Sequence, residues 1–464
     1  MLRVKSHISW SGRCLLCIAF FVLSACGGGG GGSSTGPTTP TVPMSTLVVS
    51  LPNHGLVAAQ LGLVVIAGDA ASEAMATYYQ QARGVPAANI VKVNLPIGAK
   101  AKAGLDLADF TQIKAAVDAA MPASVQALLL VWRLPSQVTG STCSMSITSA
   151  MAFGFDARYC GGCPATKASS YYDSESLQPF TDLSMRPTML LGTDTLPAAM
   201  ALIDRGVQAD GSQPGGTGWL VRTTDADRAV RYPDFSPLPS LWSSWLTLNY
   251  VNNASGAAAN DPITGKTDVM FYFTGLAVTP GLATNTYRPG AVGDSLSSTG
   301  GALGGLTGQT LVTDWLAAGL TASYGTVEEP CNYAEKFPRV SVLLDHYWRG
   351  DTLIEAYWKS VQWPGQGLFV GEPLARPWPD QRSFAIVNGK YSISTRSWRP
   401  GAQYWMQYRK AGQTDWTLLQ SLTPSRGAAQ TLTTPLAPAD ASQIRFLGPC
   451  YYDLGTLCVL AQTP

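Results

Sequence analysis

Residues 62–68 read Gly62-Leu63-Val64-Val65-Ile66-Ala67-Gly68, and this run decides the fold together with the helix and strands that succeed it. A short, unbroken apolar run bounded by glycines is the pattern of a strand buried on both faces. Over residues 69–83 apolar side chains recur at helical spacing, with Met75, Tyr78, Tyr79 and Ala82 on one side. Gly84 and Pro86 then supply a C-cap glycine and a trailing proline. Residues 89–94 (Asn-Ile-Val-Lys-Val-Asn) form a second strand and residues 127–132 (Ala-Leu-Leu-Leu-Val-Trp) a third. Between them, residues 109–120 form a helix capped by Asp109 or Thr111. Strands alternating with helices predict an α/β fold, a mostly parallel sheet flanked by helices.

The same reading extends along the chain. Residues 141–181 lose periodicity and carry three cysteines, which marks a long insertion. A helix follows at Leu196–Ala209 and a strand at 218–222. The Trp-rich stretch 241–251 reads as an amphipathic helix packed on the surface, or as a lid. Two further strands are 268–273, ending at Thr274-Gly275, and 290–295, ending in Ser297-Ser298-Thr299-Gly300-Gly301. A helix at 313–320, a strand at 322–326, helices at 340–348 and 352–358 broken at Gly350, and a strand at 367–371 complete a body spanning 44–378. From residue 379 to 464 strand-like segments recur at short spacing, and Tyr404, Met406 and Tyr408 alternate with Trp405 and Gln407. This predicts a C-terminal all-β sandwich with one buried face per strand. Its Trp and Tyr pattern looks like a fibronectin type III module.

The N-terminus carries an address. Arg3, Lys5 and Arg13 precede an apolar run, 15–23, too short for the roughly 20 residues that span a bilayer. Residues 1–25 therefore read as a secretory signal peptide. Leu23-Ser24-Ala25-Cys26 resembles a bacterial lipobox, in which the Cys26 sulfur takes a diacylglycerol and becomes the mature N-terminus. The resemblance implies a membrane partner held by lipid and, with Gly27 rather than Asp after the cysteine, the outer membrane. Residues 27–43 contain only Gly, Ser, Thr, Pro and Val and behave as a tether.

Charged residues make up 13% of the chain and the net charge is +1, so no electrostatic footprint suggests nucleic acid. Of nine cysteines, Cys14 and Cys17 leave with the signal peptide and Cys26 is lipidated. The six others, Cys143, Cys160, Cys163, Cys331, Cys450 and Cys458, read as disulfides in an exported protein. Cys450 and Cys458 are spaced to clasp one hairpin, and the other four to staple insertions to the body. Cys160-Gly161-Gly162-Cys163 also has the spacing of a zinc or redox pair, but zinc needs two more ligands and the only histidines after the signal peptide are His54 and His346. No metal or cofactor is implied.

Several segments carry a family resemblance: Ala76-Thr77-Tyr78-Tyr79 with Arg83-Gly84-Val85-Pro86; Phe271-Tyr272-Phe273-Thr274-Gly275; Arg288-Pro289-Gly290-Ala291-Val292; Gly325-Thr326-Val327-Glu328-Glu329-Pro330; Gly350-Asp351-Thr352-Leu353-Ile354-Glu355-Ala356-Tyr357; and Val370-Gly371-Glu372-Pro373-Leu374 with Arg376-Pro377. Their order resembles an uncharacterised family of exported bacterial proteins and, distantly, gingipain-type cysteine peptidases of the caspase-like fold. The resemblance implies an active site at the C-terminal ends of parallel strands, with a histidine turn after one strand and a cysteine after the next. The corresponding positions here are Thr274-Gly275-Leu276-Ala277 and Ser297-Ser298-Thr299, without His or Cys, so the peptidase dyad is absent. A nucleophile needs a base within hydrogen-bond reach.

The expected function is therefore a cell-envelope lipoprotein binding a ligand or partner on that strand edge, with a protein or glycan partner for the C-terminal module as a further expectation. The alternative is a hydrolase using a non-standard constellation drawn from His54, Ser298, Glu328 and Glu329, with Asp294 or Asp268 as partners for the two glutamates. Cys331, just past Glu329, is read as a staple rather than a nucleophile.

Overall fold

The computed structural model describes residues 47–51, 54–305, 308–425, 430–449 and 457–459. The signal peptide, Cys26, the linker and the Cys450–Cys458 pairing fall outside the described residues. The body is built on one ten-stranded sheet. Its strands are β1 (Leu61–Ile66), β2 (Ile90–Val93), β3 (Ala127–Leu130), β4 (Thr188–Leu190), β5 (Thr217–Arg222), β6 (Thr247–Asn252), β7 (Val269–Thr274), β8 (Tyr287–Ser295), β9 (Ala322–Thr326) and β10 (Gly367–Gly371). Their spatial order is β6-β5-β7-β8-β9-β10-β4-β3-β1-β2. Every pairing is parallel except β9 with β10, where Ala322 faces Gly371 and Thr326 faces Gly367. The sheet is thus two parallel halves running in opposite directions, and each half presents its strand ends to a different edge.

All six residues of β1 and all four of β3 are buried, as an uninterrupted apolar run requires in a sheet covered on both faces. Each such Leu, Val or Ile contributes about 1.5–3 kcal/mol by leaving water. Helix α1 (Ala70–Arg83) starts where Asp69 accepts a hydrogen bond from the Ser72 N–H and stops at Gly84 in the left-handed region (φ 71°). It buries Met75, Ala76 and Tyr79, while Ala82 faces solvent. Helix α2 (Leu107–Ala120) begins ahead of the expected Asp109 cap, with Asp106 at the N-cap position.

Two strands depart from the sequence reading. The Trp-rich stretch is a short helix, Leu238–Trp242, followed by β6, which pairs along its length with β5 at the sheet edge. Its alternation of exposed Thr247 with buried Leu248 suits a half-covered edge strand, and of the tryptophans before it Trp242 ends the helix while Trp245 lies in the turn between the two. β4, three buried residues long, completes the first half between β3 and β10. The insertion is stapled by two disulfides, Cys143–Cys160 within it and Cys163–Cys331 to the loop after β9. Cys160 and Cys163 are therefore joined to other cysteines and form neither a zinc pair nor a redox dithiol.

The C-terminal module shares a compact unit, residues 43–464, with the body. It stacks a three-stranded antiparallel sheet (Ser383–Val387, Lys390–Thr395, Gln430–Thr434) on a second sheet ordered Thr417–Leu422, Tyr404–Lys410, Ala441–Pro449, Leu457–Val459. Ile393, Trp398, Tyr404, Met406, Ile444 and Phe446 fill the space between them. The chain's first described strand, Val48–Val49, pairs in parallel with Ala441–Pro449, so the N-terminal segment is sewn into this module before it reaches the body. Among the described residues no helix is long and apolar enough to cross a membrane.

Candidate functional site

In an open α/β sheet, ligands bind outside the carboxyl ends of parallel strands. In the second half those ends are Arg222, Asn252, Thr274, Ser295 and Thr326. The segment after β5 folds back across them. The Arg231 guanidinium is buried there, donating to the Thr274 carbonyl at 2.7 Å and pairing with Asp294 Oδ1 at 2.7 Å. Burial pushes the Asp294 carboxyl up to about 6 against the pull of Arg231. Gly275 is needed at this point because a Cβ would collide with the Arg228 carbonyl.

Two concavities open on this edge. One, of about 390 Å³, is lined by Asp227, Arg228, Ser297, Ser298, Glu329 and Cys331. The other, of about 500 Å³, is lined by Leu238, Leu241 and Phe337 among its apolar residues and by Tyr172, Arg231 and Arg339 among its polar ones. Asp234 orients Arg339, accepting from its Nε at 3.3 Å, and also accepts from the Ser341 N–H at 3.0 Å. The larger groove has the volume of a ligand site, and its lining mixes apolar residues with the charged groups Arg231, Asp234, Glu335 and Arg339.

Of the residues singled out from sequence, the fold brings Ser298, Glu329 and Cys331 to one pocket. Cys331 is bonded to Cys163 and its N–H donates to Glu329 Oε1 at 2.8 Å. Glu328 turns to the insertion, where its Oε2 accepts from the Gly161 N–H at 3.4 Å. Burial lowers the Lys336 ammonium to about 8 although Glu328 and Glu329 pull it up. Asp268 is bonded to Thr217 and Asp294 to Arg231, so neither partners the glutamates.

His54 is placed elsewhere. Its Nδ1 lies 2.6 Å from Asp351 Oδ1, and its Nε2 is 3.4 Å from Glu175 and 3.4 Å from Arg349. His346 bridges Asp351 Oδ2 at 2.8 Å and Asp173 at 3.1 Å. Lys359 Nζ reaches Asp351 Oδ2 at 2.8 Å, and Arg349 forks onto Glu175 at 2.7 and 2.8 Å. From the C-terminal module, Arg399 pairs with Asp173 and with Glu175, and the Ser397 carbonyl accepts from Arg349 at 3.1 Å. The cluster is a buried clasp between the N-terminal segment, the insertion, the body and the module. His54, His346 and Asp351 are near enough to share a cation. The Lys359 ammonium and Arg349 guanidinium already supply positive charge there, and these work against a metal ion.

Burial alone pulls His54 down, but the charge and hydrogen bond of Asp351, with the hydrogen bond to Glu175, outweigh it and hold His54 above 6.5. A raised histidine contributes stability that is complete below 6.5 and is lost as pH rises through its folded value. The unfolding free energy is thus expected to fall as pH climbs above neutrality, and His54→Gln to flatten that slope. Urea titrations across pH 6–9 check this, and an unchanged slope in the variant refutes it.

The chain matches no protein-family model, no curated protein and no solved structure. Sequence reasoning missed Arg231, Lys359 and Arg349, which have no local signature. Asp351 lies in one of the segments that carry the resemblance, yet only the fold shows it joining two histidines.

Proposed function

We propose that this chain is an exported, lipid-anchored envelope protein whose body is a caspase-like scaffold without peptidase chemistry, and that it binds an extended peptide segment along the strand ends of its second half. The observation that carries the reading is Gly275. It stands after β7, where the resemblance puts a histidine turn, and any Cβ there would collide with the Arg228 carbonyl. The loop after β5 fills the space that a histidine side chain would need. The adjacent strand, β8, ends in Ser297-Ser298, and both described histidines are held in the clasp. Ser298 therefore has no histidine base among its neighbours in the pocket, and relay needs hydrogen-bond contact.

The groove offers Leu238, Leu241 and Phe337 to an apolar segment and Arg339, whose Nε is held by Asp234, to a single carboxylate, while Asp234 and Glu335 select against a second acidic group. The fibronectin III reading of the module is supported by its strand order: first, second and fifth strands in one sheet, with the fourth, third, sixth and seventh in the other. The lipid-anchor reading rests on the lipobox resemblance of residues 23–26.

A peptide library incubated with the purified protein and followed by mass spectrometry tests the proposal. Expected is retention of apolar peptides with a single carboxylate, without cleavage, weakened at least about tenfold by Leu241→Asp or Arg339→Ala, the scale of one interfacial anchor. Cleavage abolished by Ser298→Ala overturns it in favour of the hydrolase alternative.

A further inference from the structure

The outer face of the module's second sheet carries a charged aromatic stack for which the peptide groove has no use. The Trp416 ring packs against the guanidinium groups of Arg409, 4.9 Å from its centroid, and Arg445, at 4.1 Å. Gln443 holds Arg409, and Gln407 accepts from Arg445 Nε at 2.9 Å, so both cations are fixed in place. Neither arginine has a carboxylate partner among the described residues, and Arg445 is lowered by burial and by its neighbour Arg409. Leu418, beside Trp416, is 52% exposed. Two like charges held together beside a partly buried indole and an exposed leucine form a face complementary to an anionic, partly apolar surface.

The path of the chain indicates which surface. Val48 pairs with Gln443, the residue that holds Arg409, so the N-terminal segment leaves the sheet beside this stack. From Cys26 to that point the sequence supplies residues 27–46, mostly the Gly/Ser/Thr/Pro tether. By composition alone, a Gly/Ser-rich chain of that length spans about 25 Å root-mean-square. We propose that the Arg409–Trp416–Arg445 face rests on the phosphate-bearing headgroups of the bilayer that holds the chain's own lipid, so that the module is the membrane-proximal part. This rests on the lipid-anchor reading. It is the arrangement in which an acyl anchor is reinforced by a second, electrostatic signal.

The test uses the full mature chain reconstituted in vesicles of phosphatidylcholine alone or with about a third phosphatidylglycerol, read by hydrogen exchange. Expected is slower exchange over 404–422 and 441–449 only in the anionic vesicles, abolished by Arg409→Gln/Arg445→Gln with the melting temperature unchanged. Added unlipidated wild-type chain is expected to sediment with the anionic vesicles at least about tenfold more than the double variant, since each arginine near such a surface adds about fivefold. Equal exchange in both vesicle types, or equal sedimentation of wild type and variant, overturns the proposal. Intact mass of the mature chain reports separately whether Cys26 carries lipid, so a failed anchor and a failed face are told apart.

Discussion

Replacing Asp351 by Asn is expected to lower the unfolding free energy by about 3–5 kcal/mol, the cost of removing one partner from a buried ion cluster. The carboxylate is fully buried and is held far below the usual carboxylate range. Burial opposes that, but the Lys359 ammonium, the His54 charge and the hydrogen bonds of both histidines prevail. Asparagine keeps the shape and deletes the charge. Lys359, with no exposure to water, then loses its carboxylate, and His54 loses its nearest counter-charge. Because Arg349 and Arg399 tie the same cluster to residues 397–399, the loss is expected to loosen the module as well as the body. Urea unfolding gives the magnitude, and limited proteolysis near residues 379–382 gives the location. The comparison is Asp345→Asn, whose carboxylate pairs with the same Arg349 but is 14% exposed, so it is expected to cost only about 1 kcal/mol. Equal effects of the two substitutions would show that burial of the charge is not what decides.

How much of this was legible in the sequence depends on how local each signal is. β1 and β3 were readable because burial on both faces writes an unbroken apolar run, and α1 because cap, periodicity and stop signals lie within sixteen residues, 69–84. β4 and β6 were not. The first has too few residues to show a period, and the tryptophans beside the second belong to the preceding helix (Trp242) and the connecting turn (Trp245). The reversal between β9 and β10 has no local mark, since a strand's own residues do not state which neighbour it pairs with or in which direction. The clasp is the extreme case: His54, Asp173, Glu175, Asp351 and Arg399 meet only through tertiary packing, so His54 read in isolation looked like a base on a turn. The segments that carried the resemblance also became intelligible only in three dimensions. Glu372 accepts from the Tyr79 hydroxyl at 2.5 Å and pairs with Arg83, joining α1 to the turn after β10. Glu355 takes the N–H groups of Leu56 and Thr352, each at 2.8 Å. Glu372 and Glu355 are thus fasteners of the scaffold rather than parts of either pocket.

The Cys163–Cys331 bridge is expected to matter more than Cys143–Cys160, and for function as well as stability. It closes a chain separation of 168 residues, against 17 for the other. If constraint of the unfolded chain is the main effect, loop length sets the difference, giving about 5 kcal/mol for the long loop and about 3 for the short one. Cys163→Ser/Cys331→Ser should therefore lower the urea midpoint further than Cys143→Ser/Cys160→Ser. The functional consequence comes from position. Cys331 and Glu329 wall the pocket that holds Ser298, and the same segment continues into Phe337 and Arg339 of the groove. Cys331 itself sits at a positive φ of 55°, a backbone conformation that a non-glycine residue adopts only when its surroundings enforce it. Without the bridge the loop after β9 keeps only hydrogen bonds to the insertion, Gly161 N–H to Glu328 and Lys336 to the Gly162 carbonyl, and the segment 334–339 that lines the groove is held less firmly. Peptide affinity is then expected to fall by about tenfold or more in the long-loop variant, the scale of one anchor lost. It should stay near wild type in the short-loop variant, whose cysteines line neither cavity. Calorimetric titration with a groove-binding peptide, run below the unfolding transition of both variants, separates the two effects. Equal losses of affinity would mean that the insertion as a whole, rather than the segment after β9, shapes the groove. Equal losses of stability would mean that native packing, rather than loop closure, sets what each bridge contributes.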